Sequence, residues 1–342
     1  MRVLVTGAAG FLGRHVVSAL LARGHAVRAL VRPASRVEPL AWPAAVEVVR
    51  ADLRAPGDLG PALAGVDAVV HLAAAVTGGE EAQFAATVVG TERLLEAMSR
   101  AGTRRLVLAS SFSVYDWSRV RRRLDEASPL LEAPILYERD GYAVAKAWQE
   151  RIVRRAAERE RLDLTVLRPG FIWGRDHGYL ACLGQAVGRV HLTIGPFTRL
   201  PLTHVENCAD LFARVVDDPR ASGQAFNVVD GDDVRTWRYL GDFVRGTGER
   251  WWRLPVPYLA FRALATVAHR TVRWIFHGKG KLPGLLVPVR FEARFKPLRF
   301  SSRKLRELLG WRPALAYREC VARTYGHPGA VDAPQGSPAA GA

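Results

Sequence analysis

The chain reads as an α/β protein, a doubly wound parallel sheet followed by a smaller C-terminal lobe. Two observations predict this. Short β-branched runs alternate with amphipathic stretches over about 170 residues, and a glycine triplet follows the first run at once. Strand and helix in alternation imply a parallel sheet covered by helices on both faces. The length agrees: 342 residues suit one large domain or two medium ones, with a core that needs no disulfides or structural metal.

Residues 2–6 (Arg-Val-Leu-Val-Thr) are the first strand, and Gly7, Gly10 and Gly13 come directly after it. In the stretch that follows, Val16, Val17, Leu20 and Leu21 share one helical face, and Gly24 stops it. Residues 25–31 and 46–50 are predicted strands, 59–63 a short helix, 67–72 a buried strand, 84–98 a helix and 105–110 a strand. A helix over 142–158 and a strand over 163–168 end the regular part. Beyond it, Pro and Gly interrupt often, and a helix near 208–216, a strand at 225–229 and a helix at 259–275 stand out. Residues 327–342, rich in Gly, Pro and Ala, read as a disordered tail.

Composition excludes several classes. Hydrophobic residues make up 49% and charged ones 24%, which suits a globular protein rather than a disordered one. Cys182, Cys208 and Cys320 are scattered, without the spacing of a disulfide framework or a zinc site, as expected of a cytoplasmic protein. No run of about 18 apolar residues predicts a spanning helix, and the N-terminus lacks a signal-peptide pattern. Of the 49 basic residues 44 are arginine, which a GC-rich coding habit explains. Between Trp251 and Gly326, however, 12 arginines and four lysines face three glutamates, a net +13 among many aromatics. Such a segment attracts anions: a phosphorylated substrate, an acidic membrane face or nucleic acid.

A strand, a glycine triplet and a helix together make a phosphate-binding turn. Glycine permits the tight turn and close backbone approach, and a pyrophosphate sits on the helix N-terminus. The core at 1–170 is therefore a dinucleotide-binding unit, and 171–326 a substrate lobe with some segments returning to the core. The end of the second strand carries Arg32, followed by Ser35 and Arg36, with no carboxylate before Glu38. An arginine there accommodates the 2′-phosphate of NADP(H), whereas an acidic residue holds the ribose of NAD(H); NADP(H) is expected, with NAD(H) second. Asp52, after the third strand, is placed to accept from an adenine amino group or to cap a helix.

Tyr142 and Lys146 stand four apart at the start of the 142–158 helix and share a face. A free tyrosine, with a pKa of about 10, is a poor base at neutral pH, and a neighbouring ammonium favours its phenolate. Ser110, Ser111 and Ser113 stand at the carboxyl end of the strand before it, where parallel sheets bind ligands.

In order along the chain stand Thr6 to Gly13, Asp52-Leu53, His71-Leu72-Ala73-Ala74, Ser110-Ser111 before Val114-Tyr115, and Tyr142-x-x-x-Lys146. Leu167-Arg168-Pro169-Gly170, Thr203 to Asp210 and Leu309 to Pro313 follow. This set resembles the extended short-chain dehydrogenase/reductase superfamily, its NAD(P)-dependent epimerase/dehydratase group, over about residues 1–325. The resemblance implies a Rossmann fold, hydride chemistry at a carbinol carbon and a homodimer built through a helical bundle. It makes Ser111, Tyr142 and Lys146 catalytic, and sets Gly7, Gly10, Phe11, Leu12, Gly13, Leu53, Leu72, Ala73, Ala74 and Pro169 beside Arg32, Asp52, Tyr142 and Lys146 at the cofactor.

Three departures bear on the substrate. Phe112-Ser113 stands where the group's dehydratases carry Asp-Glu, which counts against sugar dehydration. Thr87 replaces an asparagine ahead of Val88-Val89-Gly90-Thr91. Lys296-Pro297-Leu298-Arg299 is the nearest counterpart of an Arg-Pro-Gly-Asp segment that holds a nucleotide diphosphate, with Ser301-Ser302 in place of the usual aspartate. The leading expectation is an oxidoreductase or epimerase acting on an anionic small molecule, a nucleotide-linked sugar. The alternative is a ketoreductase or 3β-hydroxysteroid-type dehydrogenase with an apolar substrate. A non-catalytic cofactor-sensing or nucleic-acid-binding protein is the third reading; retention of Ser111, Tyr142 and Lys146 speaks against it, and no nucleic-acid partner is expected. For the basic, apolar helix at 259–275, a cover over the substrate pocket is preferred to peripheral contact with an anionic membrane.

Overall fold

The first strand, β1 (Arg2–Thr6), buries every residue after its first, as a strand with helices on both sides must. The computed structural model describes residues 1–326 apart from Pro56, Phe276 and residues 278–281; the expected tail at 327–342 lies outside them. β1 lies inside a seven-stranded sheet with β2 (Ala26–Val31), β3 (Glu47–Arg50), β4 (Ala68–His71), β5 (Arg105–Ala109), β6 (Asp163–Pro169) and β7 (Ala225–Val228). The order is β7-β6-β5-β4-β1-β2-β3, and every pairing is parallel. The order reverses beside β1, where such sheets open a crevice at their carboxyl ends.

Alternate strand residues build the two cores. Val3 and Val5 pack with Val16, Val17 and Leu20 of α1 (Phe11–Ala22) and with Phe212 of α6 (Val205–Val215). Leu4, Leu106 and Leu108 face the other way, onto Leu94 and Met98 of α4 (Gly90–Ala101) and Val153 of α5 (Gly141–Glu160). Between them, α2 (Gly60–Leu63) and α3 (Glu80–Phe84) are short.

The helix expected over 84–98 differs in form. It begins at Glu80 and passes through a π-turn, Ala85–Val89, before α4. Thr87 explains the bulge: its hydroxyl accepts the Ala75 N–H (3.2 Å) while its carbonyl accepts the Thr91 hydroxyl (2.5 Å). The first tie binds the turn to the segment that follows β4, a tertiary demand that helical periodicity does not reveal, and the second lies within the helix itself. The helix expected from residue 208 likewise starts earlier, at Val205, because Asp230 accepts the His204 N–H at 2.7 Å and fixes the entry.

The C-terminal lobe is more regular than its Pro and Gly content suggests. Gly184–Val187, Val190–Ile194 and Trp252–Val256 form a three-stranded sheet. Around it lie α7 (Thr236–Thr247), α8 (Tyr258–Ile275), α9 (Pro288–Phe295), α10 (Arg303–Leu309) and α11 (Tyr317–Tyr325). Leu305 and Leu309 of α10, with Trp311, return to the core beneath α1 and α6.

Candidate active site at the carboxyl ends of the strands

The turn after β1 is sterically closed to other residues at two glycines. Gly7 has φ +68°, and a Cβ there would sit 3.0 Å from the Ala73 nitrogen. A Cβ on Gly13 would come within 2.1 Å of the Gly7 carbonyl oxygen. Gly10 donates to the Gly7 carbonyl at 3.0 Å and opens α1 with no side-chain cap. The first N–H groups of α1, at Phe11, Leu12 and Gly13, thus point out of the helix without a capping side chain, the arrangement that receives a pyrophosphate. Leu72, Ala73 and Ala74 run behind this turn, half-buried, and Thr6 Oγ1 accepts the Ala73 N–H at 3.2 Å.

A feature the sequence did not announce lies over the start of α1. The His177 ring stacks on Phe11 with centroids 3.9 Å apart, and Asp176 reaches Arg14 at 3.5 Å. The segment 174–177 therefore packs against the N-terminal turn of α1.

At the rim, Arg32 is exposed at the end of β2, while Arg50 donates to the carbonyls of Pro33 and Ser35. Asp52 is held by Arg54 through its Nε and Nη2 (3.0 and 2.6 Å) and accepts the Arg54 N–H. That guanidinium, above the other influences, holds Asp52 down at about 2. Part of the expected adenine acceptor is thus committed within its own loop. Leu53 is buried against Gly90.

The catalytic candidates converge at the end of β5. Ser111 caps the short turn that follows and accepts the Ser113 N–H at 3.1 Å, so its own proton is free to donate. Asp140 caps α5 by accepting the Ala143 N–H, which presents half-buried Tyr142 in the first turn. Burial raises the Tyr142 phenol, and a hydrogen bond with Ser111 works against that rise. One turn on, Lys146 is buried; its Nζ donates to the Ala109 carbonyl (2.7 Å) and to Gln149 Oε1 (2.9 Å). Burial lowers the lysine to about 7 against the pull of Glu150.

Two buried polar networks brace this pair. His71 lies between the hydroxyls of Thr6 (2.6 Å) and Thr91 (2.8 Å), and burial followed by the charge of Lys146 keeps it neutral, at about 3. Gln149 joins the two, donating to Thr91 Oγ1 at 2.9 Å. Beneath them Glu150 accepts from Ser110 (2.6 Å) and pairs with Arg168, which donates to Tyr115 (2.8 Å). Tyr115 in turn donates to Asn227 at 2.7 Å. Burial raises Glu150, but the Arg168 guanidinium outweighs it and holds the carboxyl at about 2. His71 and Arg168 belong to stretches singled out in the sequence without a role; Gln149 and Glu150 could have been found only as the positions three and four after Lys146. Pro169 ends β6, buried.

Two clefts stand out, and neither lining includes Ser111, Tyr142 or Lys146. One of about 400 Å³ is lined by Phe84, Val89, Tyr137 and Val144 among others. The other, of about 720 Å³, is lined by six arginines, Arg121, Arg122, Arg123, Arg199, Arg235 and Arg299, with Phe197 and Leu298. Among the described residues no cluster of His, Cys, Asp and Glu is arranged for a metal, and no helix is long and apolar enough to cross a membrane.

Known proteins share this architecture. A 3β-hydroxysteroid dehydrogenase/Δ5→4-isomerase of Mycobacterium tuberculosis is 31% identical over 338 residues, covering 94% of this chain and 88% of that protein. A ketoreductase of Stigmatella aurantiaca, named for a farnesyl dihydroquinoline oxide, is 30% identical and covers 78% of this chain and 79% of its own. Among solved structures, the UDP-glucose 4-epimerase of Thermus thermophilus in complex with NAD superposes with a TM-score of 0.66 at 23% identity, covering 97% of this chain and all of that one. The family model described as the NAD dependent epimerase/dehydratase family matches residues 3–247, and the chain belongs to that family.

Proposed function

We propose that this chain is an NAD(P)-dependent dehydrogenase or ketoreductase that interconverts a secondary alcohol and a ketone on an apolar substrate, with NADP(H) as the preferred cofactor. The observation that carries the chemistry is the convergence of Ser111, Tyr142 and Lys146 at the end of β5, above two buried polar networks. The apolar substrate is supported by the curated relatives, whose names specify a hydroxysteroid, a sterol carboxylate and a farnesylated ring.

A bound nicotinamide would supply or accept the hydride. Ser111 donates a hydrogen bond to the substrate oxygen and aligns it with the Tyr142 hydroxyl. Tyr142 then gives a proton to that oxygen in the reducing direction and removes it in the oxidising one. Lys146 holds a ribose hydroxyl and, when charged, draws the phenol down toward neutrality. At about 7 its own pKa lets it change charge in the working range. Uncapped N–H groups of Phe11, Leu12 and Gly13 receive the pyrophosphate, and Arg32 receives a 2′-phosphate.

The six-arginine cleft favours a second reading, an anionic substrate such as a nucleotide-linked sugar. Purified protein offered NADPH or NADH with panels of polycyclic or prenylated ketones and of nucleotide sugars separates the two. Stoichiometric cofactor consumption with an apolar ketone is expected. Interconversion of nucleotide sugars without net consumption would replace the proposal with the second reading. A homodimer through the faces of α4 and α5 beside the smaller cleft, in a reducing compartment that suits three buried free thiols, completes the proposal.

A further inference from the structure

We infer that α8 is a docking helix that lies in the plane of an anionic membrane surface. Its lengthwise pattern supports this. The helix is held to the lobe by Phe261, whose ring stacks on Phe291 (centroids 5.0 Å apart), and by Ala265, its one fully buried residue. At 100° per residue Ala263, Val267 and Trp274 lie opposite that contact, with Ala260 beside them and Leu264 and Ile275 continuing the apolar stripe round one side. These are exposed: Leu264 by 58%, Val267 by 64% and Trp274 by 81%. A helix in a soluble lobe turns such residues inward, and contiguous apolar exposure of this kind marks an interaction surface.

The charge beside the stripe selects the partner. Arg262, Arg270 and Arg273 project along one flank of the apolar face, all exposed. Arg262 is paired with Glu292 (2.9 Å), whereas Arg270 and Arg273 make no ion pair among the described residues. The helix carries no acidic residue at all. Apolar side chains flanked by cations, on a helix that cannot span a bilayer, match an interfacial helix whose apolar face enters the acyl boundary while its arginines meet anionic headgroups. Trp252 and Leu254 are also exposed, on the strand that precedes α8 in the chain. A second copy of the chain would place these cations against identical cations, which disfavours it. The docking surface is independent of the substrate reading above, since it involves none of the residues at the end of β5.

The test is co-sedimentation of the full chain with vesicles of phosphatidylcholine alone and of phosphatidylcholine with phosphatidylglycerol in equal parts. Binding to the anionic vesicles, weakened by salt, is expected. Arg270→Gln with Arg273→Gln lowers the partition coefficient about thirtyfold, the scale of two interfacial charges. Leu264→Ser with Val267→Ser and Trp274→Ser abolishes binding, and both variants keep the parent's unfolding temperature within a few degrees. Absence of binding to either vesicle, or binding that neither variant alters, would overturn the inference. So would a concentration-dependent dimer, seen by light scattering and lost in the triple variant, without vesicle binding, since the occupant would then be a second copy.

Discussion

The end of β5 and the outer face of α8 invert the usual distribution of side chains in opposite senses. At the first, Lys146, Gln149, Glu150, Arg168 and His71 are polar and buried. At the second, Leu264, Val267 and Trp274 are apolar and exposed. Burying charge is costly unless each group finds partners. Here each does, through Ala109, Ser110, Tyr115 and the two threonines. The α8 side chains have no such internal partners. Polar groups kept inside at that cost point to chemistry, and apolar groups left outside point to a surface that meets something else.

Substitutions separate the two regions by size of effect. Glu150→Gln keeps the shape but leaves the Arg168 guanidinium buried without its counter-ion. A stability loss of about 3–5 kcal/mol in denaturant unfolding is expected, the range for breaking a buried pair. A loss below about 1 kcal/mol would mean that water reaches the network. Tyr142→Phe removes only the proton-transferring oxygen, so turnover should fall at least about 100-fold, near 2.7 kcal/mol in barrier, while cofactor titrations stay close to the parent. Activity within a few-fold of the parent would remove Tyr142 from the mechanism.

Lys146 predicts a pH signature. Its folded pKa, about 7, lies below the unfolded value of about 10.4. The folded state therefore binds fewer protons between these values, and stability from this group rises with pH across that window. Below it the charged lysine is buried at full cost. Lys146→Met should consequently stabilise the protein most near pH 6, with the advantage shrinking toward pH 10 in thermal melts. A difference independent of pH would show that Lys146 is not desolvated.

Smaller effects lie at the rim and on the surface. Arg32→Asp turns an attraction for a 2′-phosphate into a repulsion and should shift preference from NADPH toward NADH by about tenfold in calorimetric titration; tighter NADH binding by the parent would refute the role. Leu264→Ser and Val267→Ser should each change stability by no more than about 0.5 kcal/mol, as surface substitutions do. A larger loss would place the outer face of α8 inside a packed interface.

Much of the sheet was legible because β-branched runs and the glycine triplet are local signals. The strands from residue 2 to residue 168 and α5 fall where the pattern puts them, within a few residues. Tyr142 and Lys146 were legible as a spacing and Ser111 through the family resemblance, and the structure brings all three to one end of β5. The rest depends on contacts distant in sequence. Gln149 meets His71 across 78 residues and Tyr115 meets Asn227 across 112, so no window of sequence displays either pairing. The π-turn at Ala85–Val89 arises from Thr87 serving Ala75, and the stack of His177 on Phe11 from a segment that looks like any Gly-rich loop. For α8 the sequence showed the mixture of arginine and apolar residues but not which side faces out; the preference for a pocket cover rested on the family resemblance.

The contact of Gly13 with the Gly7 carbonyl has a consequence for how such a chain can change. A single methyl at Gly13 would land 2.1 Å from that oxygen, and one at Gly7 would meet the backbone of Ala73 at a left-handed φ. No side chain can be admitted without moving α1 or β4, so the turn offers evolution no intermediate steps. Diversification of a protein built this way is confined to positions where a residue can be exchanged while its neighbours stay put: Arg32 at the open rim, the arginines around the larger cleft and the outward side of α8. Such positions can change one residue at a time, around a turn that cannot.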